Sequence, residues 1–222
     1  MNTENQQHNP VVLVHGIDDT GAVFDQMAIY LRQLGWSVYT LDLSPKNGDA
    51  GLDVLAKQIA DYIATTFTPE QSLDLIGFSM GGIVSRYYVQ RLGGINRVQR
   101  FITISSPHHG TVVAYASQRL GCLQMRPNSA FLKDLNSDVV MLKRLNFTSI
   151  WTPYDLMIVP TNSSQLPVGE EVILPVALHS WMLTDSRCLA VVAETLLQPI
   201  KPYRQFGYIH NSQKSTLGGG NI

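Results

Sequence analysis

The run Leu73-Asp74-Leu75-Ile76-Gly77-Phe78-Ser79-Met80-Gly81-Gly82-Ile83-Val84 decides how the rest of the chain is read. From Ser72 to Ile76 it is short and rich in apolar residues, bounded upstream by Thr68-Pro69, which is the pattern of a buried parallel strand. From Met80 to Leu92 the residues suit a helix that stops at Gly93-Gly94. Between the two lies Gly77-x-Ser79-x-Gly81, in which a serine stands on a strained strand-to-helix turn and the flanking glycines remove side chains that would clash. Such a turn offers Ser79 Oγ at the tip of a sheet. A serine hydroxyl is a weak nucleophile, so it needs a base beside it and hydrogen-bond donors opposite. The helix beginning at Met80 presents backbone N–H groups and a positive dipole end where an oxyanion would form.

Outward from this turn, apolar strand-like runs alternate with helical spacing. Val11-Val12-Leu13-Val14, reached through Pro10, reads as a central strand that ends at His15-Gly16. After Asp18-Asp19-Thr20-Gly21, residues Val23, Met27, Tyr30, Leu31 and Leu34 recur at helical spacing. Trp36 to Leu43 alternates like a strand, and Leu52 to Phe67 returns to helical spacing. Val98 to Ile104, Thr148 to Thr152 and Glu171 to Ala177 complete the expected strands, and Ala190 to Leu197 belongs to a closing helix. Strands alternating with helices predict parallel crossovers and a sheet covered on both faces, an α/β architecture. The expected organisation is a polar segment over 1–9, a single domain over 10–200 and a loose tail over 201–222.

Composition narrows the classes of function. The chain has 222 residues, 45% of them hydrophobic and 15% charged, which suits one large core. A net charge of −1 with no Lys/Arg cluster gives no electrostatic footprint for nucleic acid. Cys122 and Cys188 lack metal-ligand spacing and stand in apolar segments, so two buried thiols are expected. No apolar run has the ~18 residues a membrane span requires. The stretch Met1 to Gln7 is too polar for a signal peptide, which makes the cytoplasm the expected location.

The base for Ser79 must come from six histidines. His8 and His210 lie in polar termini, and His15 precedes Gly16 in a loop where backbone N–H groups are the expected tools. His108 and His109 follow a strand and compete with His179. A serine–acid–histidine order requires a carboxylate after Ser79, and the candidates before His179 are Asp134, Asp138, Asp155, Glu170 and Glu171. None of them precedes His108. Asp155 alone closes an apolar strand-like run, and between it and His179 there is room for one loop and one strand. Neighbouring strand ends would then present Asp155 and His179 together, with an Asx turn as the plainer role for Asp155.

These pieces together make the chain resemble an α/β-hydrolase of the small lipase/esterase type, near the class 2 lipases and minimal bacterial lipases. The likeness spans roughly residues 10 to 198. It rests on Val14-His15-Gly16, Gly77-Phe78-Ser79-Met80-Gly81-Gly82, Ser106-Pro107-His108-His109-Gly110-Thr111, Asp155 in Asp-Leu-Met-Ile-Val-Pro, and Leu178-His179-Ser180. It implies hydrolysis of lipid esters through an acyl-enzyme by Ser79, His179 and Asp155. The oxyanion would be held by the N–H groups of Ile17 and Met80, and the His15-Gly16 loop would line the substrate. No metal or organic cofactor is expected. An acyltransferase or thioesterase would use the same triad, and a non-catalytic binding protein would be expected to have lost it. Phe78 stands where such lipases commonly have His, and its side chain is expected to point away from the nucleophile.

The segment Thr111 to Asn136 is too long for an ordinary connection and too apolar for a solvated loop. It is expected to form one or two short helices walling an acyl groove, with Leu123 and Met125 lining it. A plain crossover helix packed on the sheet is the alternative. The expected partners are therefore a lipid or other ester substrate and, transiently, a membrane surface, with no nucleic acid.

Overall fold

The computed structural model describes residues 8–201. The first seven residues of the polar segment, and the expected tail from residue 202 onward, lie outside them. In chain order the elements are β1 (Val11–Val14), α1 (Asp25–Gln33), β2 (Val38–Leu41), α2 (Leu52–Thr66), β3 (Leu73–Phe78), α3 (Met80–Arg91) and β4 (Val98–Ile104). They continue with α4 (Leu120–Gln124), α5 (Ala130–Ser137), β5 (Asn146–Trp151), β6 (Glu170–Ile173) and α6 (Ser186–Leu197). The strands form one six-stranded sheet in the order β2-β1-β3-β4-β5-β6. Every neighbouring pair is parallel.

Side-chain alternation along the strands divides the core into two layers. Val12, Val14, Leu73, Leu75, Phe101 and Phe147 meet the buried residues of α2, α3 and α5 on one face. On the other, Val11, Leu13, Ile76, Phe78, Ile102 and Ile150 meet α1 and α6. This two-sided burial explains why the central strands read as unbroken apolar runs. β6 is the exception, an edge strand with largely exposed residues. Cys122 and Cys188 are buried free thiols.

The ion pair of Asp74 with Arg100, at 3.0 Å, lies inside the sheet near the N-terminal end of β3. Asn9 Nδ2 donates to the same carboxylate, and the Arg100 guanidinium also donates to the Gln198 carbonyl, so one charged pair ties the first strand region to the end of α6.

The closing helix begins earlier than expected, because Asp185 caps it by accepting the Arg187 N–H. The segment 111–136 holds a 3₁₀ turn over Val112–Ala116, then α4 and α5. α4 is fastened to the start of α2, with the Leu52 N–H donating to Gln124 Oε1 and Gln124 Nε2 donating to Asp53. α5 is a crossover helix held on α3. Arg86 and Gln90 donate to the Leu135 carbonyl, and Arg91 pairs with Asp134 at 2.9 Å and Asp138 at 2.7 Å.

Candidate active site

β3 runs straight into α3 through Ser79, whose φ of 53° and ψ of −124° lie outside the regions favoured by non-glycine residues. A residue held there stores roughly 1–3 kcal/mol of strain. The surrounding glycines exist for space. A Cβ on Gly77 would stand 2.5 Å from Gly82 Cα, and one on Gly81 would stand 2.2 Å from the Val14 carbonyl oxygen. The second glycine of the doublet is explained by β4, since a Cβ on Gly82 would overlap the Ser106 hydroxyl at 2.0 Å. The turn therefore sits wedged between the loops after β1 and β4.

Asp155, 3% exposed, follows β5, and His179 opens the 3₁₀ turn His179–Leu183 beyond β6. Asp155 Oδ2 lies 2.7 Å from His179 Nδ1. Its other oxygen, Oδ1, accepts the N–H groups of Met157 and Ile158, both at 2.9 Å. The Asx turn and the pairing with histidine are thus both present, one on each carboxylate oxygen. Burial pushes the Asp155 carboxyl up, but the hydrogen bond and charge of His179 and the two N–H groups outweigh it, and the net shift is downward. The rival acids are engaged elsewhere: Asp134 and Asp138 with Arg91, and Glu171 with the Trp151 indole N–H.

With Nδ1 turned to the carboxylate, His179 keeps Nε2 for the open side of the site. Its ring packs on Phe78, centroids 4.7 Å apart and planes inclined by 37°. Phe78 lies on the α1/α6 side of the sheet, and its ring is the bed on which the imidazole rests.

The loop after β1 faces Ser79. A Cβ on Gly16 would stand 3.1 Å from Ser79 Cβ. Among the described residues, the N–H groups of Ile17 and Met80 have no internal acceptor, as two oxyanion donors require. Asp18, at φ 62°, donates its N–H to the Lys46 carbonyl at 2.9 Å and fixes the loop's path.

His15 is a correction to the expected site. It was expected to line the substrate, but its side chain is fully buried: Nδ1–H donates to the Gly16 carbonyl at 2.7 Å and Nε2 accepts the Leu43 N–H at 2.9 Å. These two bonds specify its tautomer and make it the pin of the loop. His108 is also buried, between Thr103 Oγ1 at 3.0 Å and Arg86, and burial with the charges of Arg86 and His109 holds it well below the usual histidine range. Met125 packs in the α2/α3 core rather than on a substrate wall, and Leu123 is half-buried beside it on α4. The pocket of about 270 Å³ beside His179 is lined instead by Tyr154, Leu156, Met157, Leu178 and Ser180. Sequence reading quoted Leu156, Met157, Leu178 and Ser180 within motifs but assigned none of them to a pocket wall.

The lip of this pocket is apolar and open to solvent: Leu156 is 75% exposed, and Trp181, next in the chain to the lining residue Ser180, is 54% exposed. The loop after β4 is tied to the chain that follows Asp155, since the Val112 N–H donates to the Val159 carbonyl and Thr111 Oγ1 to that of Met157. Among the described residues no helix is long and apolar enough to cross a membrane.

Sheet and turn define an α/β-hydrolase fold, with Asp155 and His179 paired beyond β5 and β6. Over residues 10–127, more than half of its length, the chain matches the model of the palmitoyl protein thioesterase family, and it belongs to that family. A triacylglycerol lipase of Pseudarthrobacter phenanthrenivorans is 30% identical over 113 residues, which cover 47% of this chain and 35% of that protein. A triacylglycerol lipase of Burkholderia plantarii is likewise 30% identical over 113 residues, covering 47% and 31%. The match spans about a third of each of these relatives. The mature lipase BlEst2 of Bacillus licheniformis superposes with a TM-score of 0.70 at 16% identity, over 86% of this chain and 93% of that one. Aspergillus fumigatus lipase B gives 0.74 at 19% identity, over 92% and 56%. At such identities the likeness is one of fold.

Proposed function

We propose that this chain is a serine hydrolase of carboxylic esters that works through an acyl-enzyme, with lipid esters as its substrate class. The observation that carries the proposal is the 2.7 Å contact of Asp155 with His179 Nδ1, on a histidine packed against the residue that precedes Ser79. In this reading Ser79 Oγ attacks the acyl carbonyl carbon while its proton passes to His179 Nε2. The negative charge that develops on the carbonyl oxygen is taken up by the Ile17 and Met80 N–H groups, each worth ~3 kcal/mol in the transition state. Collapse breaks the carbon–oxygen bond of the ester, and His179 gives its proton to the leaving alcohol. Water then repeats the cycle and releases the acid. Asp155 holds the tautomer and offsets the imidazolium charge throughout.

The apolar pocket of Tyr154, Leu156, Met157 and Leu178 supports a lipid substrate, since each CH₂ removed from water contributes ~0.8 kcal/mol. The family match supports a second reading with the same triad, a thioesterase acting on fatty acyl thioesters. The acid half of the reaction is identical and only the leaving atom, sulfur or oxygen, differs.

Labelling with a fluorophosphonate, together with hydrolysis of matched esters and thioesters of increasing chain length, tests both readings. Ser79 is expected to take the label and Ser79→Ala to lose label and turnover together. Unlabelled wild-type protein, or turnover retained in Ser79→Ala, would overturn the proposal. A preference for the thioester series would select the second reading.

A further inference from the structure

The mechanism above leaves one acid of the site unused. Asp19 lies in the loop after β1, and a Cβ on Gly16 would stand 3.1 Å from Asp19 Oδ2 and 3.1 Å from Ser79 Cβ. The acid oxygen and the nucleophile's Cβ are therefore no further apart than twice that distance. Among the described residues, Asp19 makes no hydrogen bond and no ion pair although it is half-buried. Asp42, Asp74, Asp138, Asp155 and Asp185, by contrast, each hold a donor. Burial pushes the Asp19 carboxyl above its ordinary value, and His179 acts against that shift, so Asp19 shares the field of the proposed catalytic base.

Asp19 thus offers, near Ser79, an acceptor that no described protein group uses. It does nothing for an oxyanion: when ionised it opposes the charge forming at the Ile17 and Met80 N–H groups. A hydroxyl donor brought by the substrate supplies the partner that Asp19 lacks. We propose that Asp19 is a specificity-determining residue that accepts a hydrogen bond from a free hydroxyl on the alcohol part of the substrate, next to the scissile ester. The inference rests on the hydrolase reading above and narrows its substrate class to esters of polyols that keep an unacylated hydroxyl. A site built to pair with a hydroxyl discriminates strongly against the analogue that lacks it, because its own polar group is then left unpaired.

The experiment compares kcat/KM for a monoacylglycerol and for the same compound with both free hydroxyls converted to methyl ethers, in wild type, Asp19→Ala and Asp19→Asn. Fluorophosphonate labelling reports independently whether Ser79 is assembled, and thermal unfolding whether each variant is folded. Wild type is expected to favour the free hydroxyls at least tenfold. Asp19→Ala should bring that ratio to within about twofold of unity, and Asp19→Asn should lower it severalfold by removing the charge from the acceptor. A wild type with no preference, or a ratio that survives in whichever variants fold, overturns the assignment while the labelled Ser79 leaves the hydrolase reading standing. Failure of Ser79 to label overturns both, and is told apart by that readout alone.

Discussion

The Phe78 ring carries the His179 imidazole at a centroid distance of 4.7 Å, although the two residues are about a hundred positions apart in the chain. Phe78 is 2% exposed and immobilised in the layer beneath α1 and α6, so it fixes the plane of the ring whose Nδ1 meets Asp155. Phe78→Leu keeps the apolar volume but not the flat bed. It should cost about 1 kcal/mol of stability and lower kcat roughly tenfold with KM nearly unchanged, because small displacements of a catalytic group are expensive. A KM effect as large as the kcat effect would assign Phe78 to substrate binding instead.

Asp155→Asn should stay folded at neutral pH, since the amide oxygen can still accept the Met157 and Ile158 N–H groups, and should lose only the stability that the charged carboxylate contributes. Turnover should fall by up to about 10⁴ through loss of the correct tautomer of His179. Asp155→Ala removes the loop bonds as well and should be less stable than Asp155→Asn by about 1–2 kcal/mol. Equal unfolding midpoints for the two variants would contradict the dual use of the carboxylate.

The same residue sets a pH signature. Its folded-state value is lowered relative to the unfolded ~3.9, so its contribution to stability is complete above that value and is lost as pH falls through the lower, folded-state value. The stability difference between wild type and Asp155→Asn, followed by urea unfolding, should therefore shrink on acidification below about pH 4. A difference that grows in acid would reverse the sign assigned here.

Strain at Ser79 separates two inactive variants. Ala inherits the positive φ with its Cβ, whereas Gly adopts it freely, so Ser79→Gly should unfold at a higher temperature than Ser79→Ala, by roughly 1 kcal/mol in stability. Both should lack hydrolysis. An Ala variant as stable as the Gly variant would mean the turn is relaxed.

The apolar lip predicts a split between soluble and aggregated substrates. Trp181→Ser should reduce hydrolysis of emulsified long-chain esters at least tenfold and leave a dissolved short-chain ester within about twofold, because an exposed side chain outside the pocket lining would meet a lipid surface rather than the acyl chain. Equal losses would place Trp181 in the acyl pocket itself.

What could be read from the sequence was local. The doubled glycine, the apolar runs and their helical interludes carry the sheet and its turn, since each depends on residues within one or two elements. The pairing of Asp155 with His179 was reachable because both stand at strand ends of one parallel sheet, whose topology brings those ends together. The roles of His15 and Phe78 were not reachable, because one is defined by a backbone N–H at Leu43 and the other by a ring on the far side of the sheet. The packing of α4 and α5 escaped for the same reason. Apolar spacing shows that a helix has a buried face, but here polar side chains choose the neighbour: Gln124 for α2, and Arg86, Gln90 and Arg91 for α3.

Asp155 fastens the stretch Met157–Ile158 with one oxygen and orients His179 with the other. On the proposed mechanism, selectivity and reactivity are therefore mechanically geared through a single side chain. An insertion between Asp155 and Ile158 that widened the pocket at Leu156 and Met157 would pull on the base as well, so chain-length preference in this scaffold has its freedom downstream of Ile158 or across the site at Leu178, where lengthening the loop leaves the carboxylate's grip unchanged.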